Sequence, residues 1–184
     1  MNLFGGEQVA RHGMIKQLVA LNVGLYGAYM LMSGPMALVY KNYLTLDTNS
    51  SILSVPLCHL GHTSAITLLF NSGVLWTIGN SHAKAYGCMR FVTVFGAGCA
   101  VASILGALEV YKNGGSAIAG GLAGSSALIA YNTFANPTWF NIMSKWTHFP
   151  LMNLALLALY GAYYNDKAII GGVAGGYAAM LLAL

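Results

Sequence analysis

The sequence predicts an all-α membrane protein, and three observations lead there. Of its 184 residues, 57% are hydrophobic and only 7% are charged, whereas a soluble domain of this size carries roughly a quarter charged residues. Too few ionised side chains remain to hydrate a surface. The apolar residues also gather into six segments that approach the roughly 17–25 residues a spanning helix needs. Finally, glycines recur four residues apart in the later segments, the pattern that lets helices in a membrane approach closely.

The first apolar segment covers about 15–40 and is interrupted by Ser33-Gly34-Pro35. Proline ends or kinks a helix there, because it has no N–H and its ring collides with the preceding turn. Residues 1–14 form an N-terminal interfacial segment rather than a secretory signal, since the apolar stretch after them runs on without a small-residue cleavage site. A polar loop, "KNYLTLDTNSSILSVP" (41–56), leads to the second segment at about 60–80, the third at 86–108 and the fourth at 115–134. The stretch "NPTWFNIMSKWTHFP" then places Trp139 and Trp146 at a membrane interface, where indole rings concentrate. The fifth and sixth segments, 149–164 and 168–184, are short, which neighbouring protein or local thinning of the bilayer accommodates. No low-complexity tract intervenes, so residues 1–184 read as one domain.

Six spans put both termini on one side. That side collects Arg11, Lys16, Lys84, Arg90 and Lys145, against Lys41, Lys112 and Lys167 on the other, which by the positive-inside rule is the cytoplasm or the mitochondrial matrix. The net charge of +4 comes without a basic run, so nucleic acid is excluded as a partner. Cys58, Cys88 and Cys99 have no paired spacing and read as buried thiols. His59 and His62, three apart on one face of a helical turn, have no carboxylate partner nearby and make no metal site. No cofactor is expected.

In the fourth segment Gly120 and Gly124 stand four apart, and in the sixth "GGVAGG" gives Gly171–Gly175 and Gly172–Gly176. These six glycines are read as helix-packing residues that bring the fourth and sixth helices together.

Three stretches carry a family likeness. The second segment and its approach read "HLGHTSAITLLFNSGVLWTIGN", with His62 nine residues before Asn71 and Gly79 eight after it; "NGGSAIAGG" opens the fourth; paired glycines fill the sixth. Together they resemble the rhomboid family, the six-helix intramembrane serine proteases, over about 55–184. The resemblance implies a six-transmembrane-helix rhomboid-like bundle, with Ser116 at the nucleophile position and Asn71 at the oxyanion asparagine. His62 matches the first histidine of helix two. The second histidine of that helix falls on Thr67, and the catalytic histidine, three residues before Gly172, falls on Ile169.

The chemistry then decides. A serine hydroxyl is a poor nucleophile until an adjacent base takes its proton, and loss of a triad member leaves only residual catalysis. Ile169 can neither accept a proton nor donate a hydrogen bond. The catalytic set is therefore vestigial, with Ser116 a small residue at a close helix contact. The expected protein is an inactive rhomboid-like subunit of a larger membrane complex, set in the mitochondrial inner membrane, with the endoplasmic reticulum or a bacterial inner membrane as alternative settings. Its partners are other integral membrane subunits and lipids. The alternative is a working intramembrane protease with a displaced base; a transporter is disfavoured because the charged residues fall at segment ends or in loops.

Overall fold

In a computed structural model, residues 4–114, 120–135 and 167–183 are described. Helix α1 spans Phe4–Leu31, and no break marks the boundary expected at residue 14. The interruption comes where proline dictates it: Gly34 turns the chain at φ 57°, and Pro35 opens α2, Pro35–Leu44. At the first helical position a missing N–H costs nothing. The stretch 41–56 is not all loop, for it holds the end of α2 and a single turn, α3 (Ser54–Leu57).

The second apolar segment begins later than its hydropathy suggests. Helix α4 runs Ala65–Val74, widens into a π-helical turn at Leu75–Gly79, and continues as α5, Asn80–Tyr86. Gly87, at φ 89°, breaks that rod before α6, Cys88–Asn113. Within the fourth segment α7 spans Leu122–Ala135, with Gly120 in the turn before it, while residues 115–119 lie outside the described residues. Helix α8 is Lys167–Ala183. The described residues contain no strand. Ser116, Trp139, Trp146, Lys145 and the fifth segment (149–164) lie outside the described residues.

Helix α8 packs most extensively against α6 and α7. Its glycines split between the two. A Cβ on Gly171 or Gly175 would run into α6 at Ala102 and at Ala97–Gly98, while one on Gly172 or Gly176 would meet the carbonyls of Ala123 and Ala127 on α7. Gly98 of α6 presses in turn on Ala123 of α7, 2.8 Å from its carbonyl oxygen for an added Cβ. Three backbones thus touch without side chains between them, as small residues permit. The expected seam needs one correction: Gly124 faces the Phe95 ring on α6, and Gly120 faces His62, so neither looks toward α8. The ion pair Lys167–Glu109, at 3.6 Å, ties the start of α8 to the last turns of α6.

Helix α1 lies against α4, the π turn and α5. Ile15 fills the core there beside Leu75, Ala83 and Phe91. Polar residues are conspicuous inside: Asn22, His59, His62, Asn71, His82, Ser125 and Asn132 are buried, while Leu31, Ile66, Leu69, Met89 and Leu182 point outward. One helix among the described residues, Cys88–Lys112, is long and apolar enough to cross a membrane, and Lys167–Leu182 is a shorter apolar helix.

Candidate functional site

Of the residues singled out by the sequence, His59, His62, Asn71 and Gly120 meet at or against the turn that follows α3; Ile169 and the paired glycines of α8 lie elsewhere, and Ser116 is outside the described residues. Gly61 lies so close to the end of α2 that a Cβ would come within 2.5 Å of the Leu44 carbonyl oxygen. Tyr40, on α2, holds the turn from both sides: its hydroxyl donates to the His62 carbonyl (3.2 Å) and accepts from the His62 N–H (3.0 Å). The Gly120 N–H donates to the Cys58 carbonyl (2.7 Å), which ties the turn to the approach of α7.

The two histidines do not share a face, because residues 58–64 are not helical. His59 Nε2 reaches Ser103 Oγ on α6 at 2.8 Å, and that hydroxyl donates onward to the Val55 carbonyl (2.8 Å). Since the hydroxyl proton is committed, Nε2 of His59 carries the proton of its own bond. His62 turns instead to Asn71, its Nε2 lying 3.5 Å from Asn71 Nδ2. Ser125 on α7 donates to Asn71 Oδ1 in a short bond. That fixes the amide, so Nδ2 donates to His62 Nε2 and the imidazole proton sits on Nδ1. His62 Nδ1 has no hydrogen-bond partner among the described residues.

Glycines complete the enclosure. At Gly120, φ is +101° and a Cβ would stand 2.8 Å from His62 Nδ1; at Gly121 it would stand 2.6 Å from Asn71 Nδ2. Side chains at these two positions would displace the imidazole and the amide. His62, Asn71 and Ser125 are all fully buried.

The arrangement Ser125–Asn71–His62 superficially suggests a hydrolytic relay, but an amide stands between hydroxyl and imidazole. A nucleophile needs a base within direct reach of its own proton, and Asn71 is not one. Thr67, where the family's second histidine would stand, turns its hydroxyl to the Ser64 carbonyl at 2.9 Å. Ile169 is buried in α8, three residues before Gly172 and so on the face that meets Ala123. Asn71, His59 and His62 thus gain partners the sequence did not flag. Ser125, Ser103 and Tyr40 bear no motif; their roles arise from helix neighbours 22 to 54 positions away.

A second polar cluster joins α5, the start of α6 and the later part of α7. His82 Nδ1 pairs with Asn132 Oδ1 at 3.1 Å, and its ring sits 4.9 Å from Tyr86 and 5.1 Å from Tyr131. The Arg90 guanidinium lies over both tyrosines, 5.7 and 5.8 Å from their centroids. Among the described residues no group of three His, Cys, Asp or Glu is placed to hold a metal ion. No protein-family model matches the chain, and no curated protein matches it.

Proposed function

We propose that the chain is a catalytically inactive, rhomboid-like, multi-pass membrane protein that serves as a structural subunit of a larger complex in the mitochondrial inner membrane. The observation that carries this reading is the state of Asn71. The residue matching the family's oxyanion asparagine is fully buried, with both ends of its amide taken by Ser125 and His62. A donor already satisfied inside the bundle is not offered to a developing oxyanion, which must find preorganised donors at its own position. An aliphatic residue, Ile169, stands where the base belongs.

The membrane setting draws support from the inverted surface: polar side chains buried, large aliphatic ones outward. Water penalises such a surface, and lipid or neighbouring subunits do not. The low acidic content and compact loops fit the mitochondrial setting.

A fluorophosphonate probe tests the chemistry, because it labels only an activated hydroxyl. The native protein is expected to remain unlabelled, and Ser116→Ala should assemble normally. Robust labelling lost in Ser116→Ala overturns the inactive reading. Native electrophoresis of gently solubilised mitochondrial membranes tests the rest: the chain should migrate within a particle several times its own 19.4 kDa, and a free monomer defeats the subunit reading.

A further inference from the structure

The three cysteines are free thiols whose spacing suggested no pairing. Cys58 is fully buried as expected, whereas Cys88 and Cys99 are partly exposed. The fold brings two of them together. Cys58 follows α3 and belongs to an apolar cluster with Leu46, Ala102, Ala123 and Ala168; Val55 and Cys99 pack against that cluster.

The register of α3 on α6 places the sulfurs. The Val55 carbonyl accepts from two groups at once, the Cys58 thiol at 3.4 Å and the Ser103 hydroxyl at 2.8 Å. The Cys58 sulfur therefore lies beside the face of α6 that carries Ser103. Cys99 precedes Ser103 by one helical turn and shares that face. Helix α7 gives the same placement from another side. The Gly120 N–H holds the Cys58 carbonyl, and four residues on, the backbone at Gly124 hydrogen-bonds the Cys99 sulfur. Charge on one of the two sulfurs opposes charge on the other. Cys88 is excluded from the pair, since it opens α6 eleven residues before Cys99, roughly 16 Å along the axis.

We propose that Cys58 and Cys99 form a redox pair, which a hydroperoxide converts from two thiols into a disulfide that fastens the α3 turn to α6. The proposal stands apart from the membrane and family readings above. Exposure sets the order of the steps. Cys99, the accessible sulfur, attacks a peroxide oxygen; the O–O bond breaks, leaving Cys99 sulfenic acid and an alcohol. Cys58 then attacks the sulfenic sulfur; the S–O bond breaks, the S–S bond forms and water leaves. Two electrons pass from the thiols to the peroxide, and their two protons end on the alcohol and the water. Burial pushes the Cys58 thiol up to about 11, so the second step is slow at neutral pH and quickens as pH rises. The bond would pin the turn that carries His59 and His62.

The sequence suits a direct test, because trypsin, cutting after lysine and arginine, puts the three cysteines on separate peptides, 42–84, 85–90 and 91–112. The full chain in mild detergent is treated with cumene hydroperoxide or, as an oxidant of different chemistry, diamide. Remaining thiols are blocked, and the unreduced digest is read by mass spectrometry. The expected product joins 42–84 to 91–112 and separates with dithiothreitol. The oxidised protein should melt roughly 4–16 °C higher than the reduced one. Cys88→Ser should behave as the wild type does, and Cys58→Ser and Cys99→Ser should each lose both the linkage and the shift. With native circular dichroism, absence of the 42–84 to 91–112 linkage under both oxidants overturns the proposal, as does linkage through 85–90 or between two chains. Linkage by diamide alone overturns the hydroperoxide step. Linkage without a rise in Tm shows the sulfurs meeting in the unfolded chain, and that too overturns the pair.

Discussion

Gly172→Ala adds one methyl group at the contact between α8 and α7, and its effect can be worked from the geometry. The new Cβ would fall against the Ala123 carbonyl oxygen, far inside the 3.0 Å that Cβ atoms keep. Its obstacle is backbone within a helix, which no rotamer change moves. Relief requires α8 to shift outward, and the same shift loosens Gly176 against Ala127 and Gly175 against Gly98. Overpacking costs typically about 1–3 kcal/mol, and a rigid obstacle puts this case toward the upper end. Replacing a helical glycine with alanine returns about 1 kcal/mol of propensity. The net loss is therefore about 1–2 kcal/mol, or a fall in Tm of roughly 2–8 °C for a chain of this length. Gly96→Ala is the control. It lies in α6 with nothing within 4 Å of an added Cβ, so it should be neutral or stabilising by up to about 1 kcal/mol. Thermal unfolding in mild detergent, followed by circular dichroism, measures both. If Gly172→Ala melts as Gly96→Ala does, the backbone contact between α7 and α8 is not where the structure puts it.

Two further changes probe the buried polar chain. Asn71→Leu keeps side-chain volume but leaves the Ser125 hydroxyl and the His62 ring nitrogen without partners, at about 1–3 kcal/mol each; adding Ser125→Ala should recover part of the loss, and strict additivity in denaturant titrations would contradict the contact. Gly120→Ala should lower stability by about 1–3 kcal/mol, because φ +101° strains any residue with a Cβ and that Cβ would press on His62; an unaltered Tm would show that the turn accommodates a side chain.

The break at Pro35 shows what sequence settles without help. A ring without an N–H breaks or kinks the interior of a helix but is tolerated in its first turn, and α1 stops at Leu31 while α2 begins at the proline itself. Helical character was equally legible, since long apolar runs with few charges leave the backbone to satisfy its own hydrogen bonds. Hydropathy was a poor guide to helix ends. It counts residues 60–64 and Gly120–Gly121 as parts of spans, yet α4 starts at Ala65 and α7 at Leu122. An average over apolar residues does not register that Gly61 and Gly120 serve a turn, where close approach and a positive φ are needed.

The candidate site divides along the same line. The rhomboid resemblance singles out Asn71 and His62, and the two side chains lie together, His62 Nε2 3.5 Å from Asn71 Nδ2. Which groups satisfy them was invisible, because Ser125 lies 54 positions from Asn71 and Tyr40 lies 22 from His62. The glycines make the point most sharply. Their four-residue spacing predicted close helix contacts, and α8 makes them. Only the helix arrangement sends Gly171 and Gly175 to α6, Gly172 and Gly176 to α7, Gly124 to Phe95 and Gly120 to His62. A periodic pattern specifies that a helix has a smooth face. What lies against that face depends on how far the helix is rotated and which neighbour reaches it first, and both are set by the simultaneous packing of all three backbones.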